Sequence, residues 1–486
     1  MYLYFVQIWE LKEPEKIPAA PGKAVDVLLP TFNEDAELLR GSIVALTKLD
    51  YPHKTYVLDD GNRPEIKALA EELGVNYIAR EDNLFNKAGN LNNALDQTDG
   101  EFVVILDADH IAKTDFISRT LGYFEDEKMA FVQTPHAFYN FENFQGNVNY
   151  KKGTYWEEGQ LFYNVIQPGK THWNANVFCG SAAIFRRTAL EDVGLIATET
   201  ITEDIQTGLR MHARGWKSTY VNERLIAAQA APDITTFTSQ RLRWGEGNLS
   251  LMAYDNPLTV RGLTLGQRLN YMGSILGWTT GLGKVALYLT PILMLFTGVA
   301  PVGKFTWLLG AITAAYLISV WAAVKVASNG VGRLWNIEVQ AMANFWLQCI
   351  AVFRAIVRRG RGKFVVTQKR GTQTATGIQW VYPHFALIAL GVSAICWSSG
   401  KILLGVSNDY IGLIVGSLLI FLQSLLAFKV IRKALKPSEQ RFSWRHPAFN
   451  LHVAIEGTGK FENLKGQGLA LDVNENGLGM IMYRPV

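Results

Sequence analysis

At roughly 100–200 residues per domain, a chain of 486 residues has room for two or three domains. Its 47 Lys and Arg against 43 Asp and Glu leave a formal net charge of +4, which excludes the strong basic excess of a nucleic-acid binder. The three cysteines, Cys179, Cys349 and Cys396, form no CxxC pair, and the last two lie in apolar stretches, so neither a disulfide framework nor a zinc site is expected.

In chain order, Met1 to Trp9 is apolar but lacks the basic start and small-residue cleavage site of a signal peptide. Residues 1–24 are therefore expected to hold the stub of a longer membrane helix. Residues 25–270 alternate short β-branched runs with helical patterns, which predicts an α/β domain with a largely parallel sheet. The runs at 25–30, 56–59 and 102–107 read as buried strands ending in a loop or in carboxylates. Such sheets bind ligands beyond the carboxyl ends of their strands, and Asp59, Asp60, Asp107 and Asp109 all fall there.

Four motifs in this half bear on chemistry. Lys87 to Asn93 combines a lysine with amides at a helix start, which serves either as an anion site or as ordinary N-capping. Asp107 and Asp109 stand two residues apart on an extended segment, so they point the same way and can share one hard divalent cation. A solvated acidic loop is the plainer reading of such a pair taken alone. Thr202, Glu203 and Asp204 precede a helical pattern, and taken alone they read first as helix capping. The functional reading is a general base acting on a sugar hydroxyl. Gln240, Arg243 and Trp244 stand at i, i+3 and i+4, on one helix face. There the arginine fork matches phosphate oxygens and the indole offers a flat face to a sugar ring, unless the pair is simply an interfacial aromatic beside a snorkelling arginine.

Beyond about residue 270 the chain turns apolar. Four runs, 271–299, 305–328, 382–400 and 410–428, are each near the ~20 residues a bilayer core requires; the first two each hold one lysine, Lys284 and Lys325. Residues 334–357 mix apolar and aromatic residues ahead of a basic cluster, which suits a helix lying in the interface plane. Basic residues crowd 354–370 and 429–436 and spare the other short loops, so the positive-inside rule puts the α/β half, the 329–381 segment and the C-terminus in the cytoplasm.

The ordered motif set resembles the processive family-2 glycosyltransferases, above all bacterial cellulose synthase catalytic subunits. It runs through Pro30–Glu34, Leu58–Gly61, Lys87–Asn90, Asp107–Asp109, Gln133–His136, Phe178–Ser181, Thr202–Asp204 and Gln240–Trp244. The resemblance implies a GT-A glycosyltransferase domain over 25–270 and a helical membrane domain, with helices at 271–328 and 382–430 around an interfacial helix and gating loop at 329–381. It also implies a truncated β segment, PilZ-like, over 437–486. By the same resemblance Thr31, Glu34, Asp59 or Asp60, and Lys87 hold UDP. Asp107 and Asp109 hold UDP and Mg²⁺, and Asp204 is the base, with Asp60 and Asp109 beside it among the catalytic carboxylates. Gln240, Arg243 and Trp244 hold the diphosphate and the acceptor end of the glycan, and the segment around Cys179 lines the acceptor site.

Residues Phe364 to Lys369 look like the FxVTxK gating loop, which puts Thr367 over the nucleotide; Arg370 and Gly371 stand where cellulose synthases usually carry two acidic residues. Arg441 and Arg445 fit the RxxxR motif with which PilZ domains bind cyclic di-GMP, an allosteric activator, and Asp472 to Gly477 approximates the companion motif with Asn474 in place of serine. A basic patch drawn to anionic membrane lipid is the alternative for this stretch. The chain stops nine residues after Gly477, so a fragment of a longer protein is expected. The expected function is polymerisation of glucose from UDP-glucose into a β-glucan, cellulose first, with translocation across a bacterial inner membrane and a periplasmic accessory subunit as partner. Curdlan, mixed-linkage glucan, or a cyclic di-GMP receptor with a degenerate transferase domain are the alternatives.

Overall fold

The computed structural model describes residues 2–11, 13–138, 159–299, 307–328, 333–358 and 377–436, isolated positions and two short strands between 139 and 158, and four strands after residue 445. The chain divides into two compact units: Met1–Ala230 with Ser250–Gly273 and Glu439–Val486, and Ala231–Leu249 with Ser274–Ser438.

The first unit is built on a seven-stranded sheet of β1 (Val25–Thr31), β2 (Lys54–Asp59), β3 (Asn76–Ala79), β4 (Phe102–Ile105), β5 (Met129–Gln133), β6 (Ala183–Arg186) and β7 (Lys217–Tyr220). Their order is β7-β5-β6-β4-β1-β2-β3. Strands β4, β1, β2 and β3 run parallel, and β7 runs parallel to β5. The exception is β6, antiparallel to both β4 and β5, with Ala183 opposite Ile105 and Gln133. The central strands β1 and β4 to β6 are mostly apolar because both faces are covered. Val27, Leu29, Val57 and Val104 enter one buried cluster, while Leu28, Leu58, Val103 and Ile105 enter the other. Reversal of β6 has a positional consequence: its start, not its end, lies at the carboxyl edge of the parallel strands. The residues just ahead of it are thereby delivered to the edge where Thr31, Asp59 and Asp107 emerge.

The helix Glu203–Ala213 is pinned beneath this sheet by His212. Its Nδ1 lies 2.7 Å from Tyr271 Oη and its Nε2 lies 2.8 Å from Ser218 Oγ, all buried. Burial, with a smaller push from the charge of Lys170, drives the imidazole from 6.5 down to about 3. The folded chain therefore keeps His212 neutral where the unfolded chain protonates it, so stability is lost as pH falls below about 6.5. This one residue is expected to cost about 2 kcal/mol at pH 5 relative to neutral pH. Thermal melts should show a fall in Tm between pH 7 and pH 5 that shrinks in His212→Gln; equal falls in both proteins count against it.

Among the described residues five helical segments are long and apolar enough to cross a membrane: Leu265–Thr297, Trp307–Val326, Leu334–Arg358, Ile378–Leu403 and Tyr410–Ala434. Four coincide with the expected spans. The other, Leu334–Arg358, is the stretch the sequence places in the interface plane; it is the least apolar of the five, and its buried residues are Val339, Gln340, the run Met342 to Phe345, Leu347 and Ala351. Within the second unit this helix supplies the partner of the lysine in the first span, with Lys284 Nζ 2.6 Å from Glu338 Oε2. His384 Nε2 lies 2.9 Å from Met342 O. The strands after residue 445 form a small antiparallel sheet in which Lys465–Asn474 pairs with His446–Pro447, His452–Glu456 and Gly477–Met482.

Candidate functional site

The site begins at the carboxyl edge of β1. Thr31 Oγ1 donates to Glu34 Oε2 at 2.8 Å, and Phe32 N donates to the same oxygen at 2.9 Å. Asp59, fully buried at the end of β2, accepts from Gly61 N (3.0 Å), Arg63 N (2.7 Å), Arg63 Nε (3.0 Å) and Tyr77 Oη (3.0 Å). Arg63 continues to Thr31 Oγ1 (2.9 Å) and the Glu34 carbonyl (2.5 Å). One guanidinium therefore ties Thr31, Glu34 and Asp59 together, which makes Asp59 the organiser of the turn. The spacing of Asp59 and Arg63, four residues apart, was the available signal for this pair.

Asp60 is gripped by Arg80, with Nε 2.5 Å from Oδ1 and Nη2 3.0 Å from Oδ2. The same guanidinium donates to the carbonyls of Leu84 (2.8 Å) and Asn86 (2.9 Å). This clamp fixes the left-handed turn at Phe85 and Asn86, where φ is 59° and 50°, and so sets the start of the helix Asn86–Leu95. Lys87 follows in its first turn. No short-range pattern marks Arg80; its partner is twenty residues away in sequence.

Beyond β4, Asp107, Asp109 and His110 place one ligand atom each within 4.8 Å of one another. Lys87 Nζ donates to Asp107 Oδ1 and, at 2.8 Å, to the Gly180 carbonyl. Ser181 Oγ accepts from Asp107 N at 2.8 Å and lies 2.9 Å from His110 Nδ1, and His110 Nε2 lies 3.9 Å from Asp107 Oδ2. His136 stacks edge-on against His110 with centroids 5.0 Å apart; burial, reinforced by His110, drives its imidazole down to about 4, so it adds no charge near neutrality. Two carboxylates and an imidazole so close together fit a hard divalent cation, whose preferred ligands are oxygens. His110 was not foreseen, although it directly follows Asp109.

Gly180 joins this cluster to the other acidic motif. It sits at φ +80°, and a Cβ built there would come within 3.2 Å of Asp204 Oδ2. Asp204 is the second residue of the helix Glu203–Ala213 and accepts from Ile205 N at 2.8 Å. The loop ahead of β6 thus presents its carbonyl to Lys87, its bare Cα to Asp204, and Ser181 to Asp107 and His110. Behind it, Gln133 Oε1 accepts from Cys179 N at 2.9 Å, and burial, with Asp204 nearby, pushes the Cys179 thiol pKa up, so it is an inert thiol. Gly180→Ala is expected to cost about 1–3 kcal/mol for the left-handed backbone and to displace Asp204 besides. A drop in Tm checks the first effect, and an unchanged Tm would refute it.

Gln240, Arg243 and Trp244 lie on the helix Ile234–Tyr254, in the part belonging to the second unit. Gln240 Oε1 is buried without a hydrogen-bond partner among the described residues. Arg241, which the one-face argument passed over, stacks 4.8 Å above the Trp244 ring and 5.0 Å from that of Phe237. Glu246, one turn on, is paired with Arg358 at 3.1 Å. Thr367 of the expected gating loop and Arg441 and Arg445 of the expected PilZ motif lie outside the described residues.

Residues 26–194 match the family Glycosyl transferase family 2, and residues 191–349 match the family Cellulose synthase. A cellulose synthase 1 catalytic subunit (UDP-forming) of Komagataeibacter xylinus is 35% identical over 404 residues, covering 80% of this chain and 54% of the relative. A cellulose synthase catalytic subunit (UDP-forming) of Pseudomonas fluorescens is 34% identical over 393 residues, covering 80% and 52%. The chain thus spans about half the length of these relatives, and 24% of a Komagataeibacter xylinus protein named cellulose synthase 1 that is 37% identical over 377 residues. Among solved structures, a mannosyltransferase of Pyrobaculum calidifontis in complex with GDP-Man and Mn²⁺ matches with a TM-score of 0.51 at 19% identity, covering 73% of this chain and 92% of that one. That likeness, with the mixed sheet, fixes the fold of the first unit as GT-A.

Proposed function

For a chain that carries a family-2 glycosyltransferase domain running directly into a cellulose synthase domain, we propose the activity of an inverting, processive β-glucan synthase that uses UDP-glucose, with cellulose as the product. The observation that carries the reading is the meeting of two acidic motifs at Gly180: the Asp107–Lys87 pair on its carbonyl side and Asp204 against its Cα. That spacing brings a charge-neutralising cluster for a departing diphosphate next to a carboxylate able to accept a proton.

In this reading Asp60, with Thr31 and Glu34 on the same edge, holds the uridine end, and Asp59 keeps the turn in shape. Lys87 directs its ammonium at the phosphates. Asp107 and Asp109 would hold Mg²⁺, which when bound offsets the charge that grows on the diphosphate as the glycosidic bond breaks. Asp204 takes the proton from the acceptor hydroxyl while that oxygen bonds to the anomeric carbon and UDP leaves, a single displacement that inverts configuration and needs no protein nucleophile. Gln240, Arg243 and Trp244 hold the diphosphate and the acceptor end of the glycan, and Thr367 closes over the nucleotide. The α/β half faces the cytoplasm of a bacterial cell, the helix Leu334–Arg358 lies along the inner-membrane surface, and the remaining helices pass the polymer across to a periplasmic subunit. The stretch 437–486 belongs to a cyclic di-GMP-responsive PilZ region with Arg441 and Arg445 on the nucleotide; the hairpin in which Asn474 pairs with Gly477 supports it.

Purified protein in lipid, given Mg²⁺ and UDP-glucose, should release UDP and form a polymer that a β-1,4-glucanase digests. A polymer cut only by a β-1,3-glucanase would replace cellulose by curdlan, and no UDP release from any UDP-sugar would end the proposal.

A further inference from the structure

Away from the nucleotide site, the first unit carries an open hollow of about 550 Å³ lined by Val193, Arg210, Arg214, Val260, Arg261 and Gly262. Its walls are the end of the helix Glu203–Ala213 and the loop that leads into the first membrane span at Leu265. The loop has a fixed shape. Arg268 donates to the carbonyls of Pro257 (2.6 Å) and Val260 (2.7 Å), and Asn256 accepts from Leu258 N through its side chain at 2.9 Å. Gly262, at φ +94°, lies so close to the Ala213 carbonyl that a Cβ would collide with it.

The charges divide into committed and uncommitted groups. Arg210 is held by Asp255 at 2.9 Å and by Glu199 at 2.8 Å, and Asp192 accepts from the Trp216 indole at 2.9 Å. Arg214 and Arg261, both exposed, have no carboxylate within 4.0 Å among the described residues. Two uncommitted guanidiniums on a shaped hollow match the oxygens of a phosphate. Apolar side chains are exposed here too: Leu258 of the loop at 55%, and Leu265, the first residue of the span, at 72%. A basic pocket beside exposed leucines at a membrane entry suits a molecule with an anionic head and acyl chains.

We infer that this hollow binds the phosphate of an anionic phospholipid headgroup through Arg214 and Arg261. The inference rests on the membrane spans and not on the proposed transferase activity, and its test reads lipid alone. The whole chain is placed in nanodiscs of phosphatidylglycerol and phosphatidylcholine, released, and weighed by native mass spectrometry. Phosphatidylglycerol should remain bound, and Arg214→Gln/Arg261→Gln should reduce its retention about tenfold. Equal retention by parent and variant overturns the inference. Glu199→Gln, which removes one of the two anions that offset Arg210 while Asp255 still holds it, should raise retention about threefold, by roughly the worth of one half-screened charge; unchanged or lower retention overturns it independently of how the double variant folds. In phosphatidylcholine discs with inorganic phosphate, parent protein that takes up phosphate while showing no preference for phosphatidylglycerol in the mixed discs would mark a soluble-anion site and reject the lipid.

Discussion

Asp204→Asn should abolish turnover and leave nucleotide binding nearly intact. The amide is the same size, keeps an oxygen for the Ile205 N–H that Asp204 now accepts at 2.8 Å, and can still face Gly180. It cannot take a proton. Loss of a positioned base lowers the rate by about 10²–10⁴-fold. Because Asp204 makes none of the contacts that hold Asp60, Lys87 and Asp107, the groups proposed to face the nucleotide, the affinity for UDP should change by less than about twofold. The measurements are UDP release under saturating donor and titration calorimetry with UDP. An Asn variant that polymerises at the parent rate would remove Asp204 from the role of base; a variant that loses UDP binding along with turnover would make it a structural residue.

The second large effect is expected at the acidic pair. Asp109→Asn removes one of two carboxylates that fit a divalent cation. Asp109 is almost fully buried, and its Oδ2 accepts from Gln229 N at 3.3 Å, an acceptor the amide oxygen can replace. The fold should therefore survive while the charge at the site falls. Loss of a metal's charge stabilisation is worth several kcal/mol, so activity should drop by at least about 10³-fold. Chelation of the parent protein should give the same loss, reversed by added Mg²⁺. Isothermal binding of Mn²⁺ in the presence of UDP separates the causes: the variant should bind the ion at least about tenfold more weakly. If chelation leaves the rate unchanged, the pair serves the fold or the nucleotide and not a cation.

Much of the first unit was legible because strands covered on both faces must be apolar, and a carboxylate interrupting such a run stands out. That is how Asp59, Asp60, Asp107 and Asp109 could be placed at the carboxyl edge. The reversal of β6 was not legible: Ala183 to Arg186 is as buried and as short as its neighbours, and pairing direction leaves no mark on so brief a run. Its consequence is the delivery of Gly180 and Ser181 to the acidic cluster; the resemblance alone implies only that the segment around Cys179 lines the acceptor site. The arginines were harder still. Arg63 stands only four residues from Asp59, but Arg80 meets Asp60 through tertiary folding, and a guanidinium in a sequence looks alike whether it faces solvent or a buried aspartate. The membrane helices were plain from composition. For Leu334–Arg358, length and apolarity argue for a crossing while the basic cluster that follows it argues for a helix in the interface plane, so the two signals point in different directions.

The contact between Lys87 and Asp107 carries a consequence for the order of loading. At rest the ammonium serves as the counter-ion of the very carboxylate that a divalent cation would share, so a bare ion must compete with a tethered charge. A nucleotide diphosphate gives that ammonium another anion to follow. Cation and nucleotide should then enter as a matched pair, each making room for the other, and neither should saturate the resting protein readily on its own.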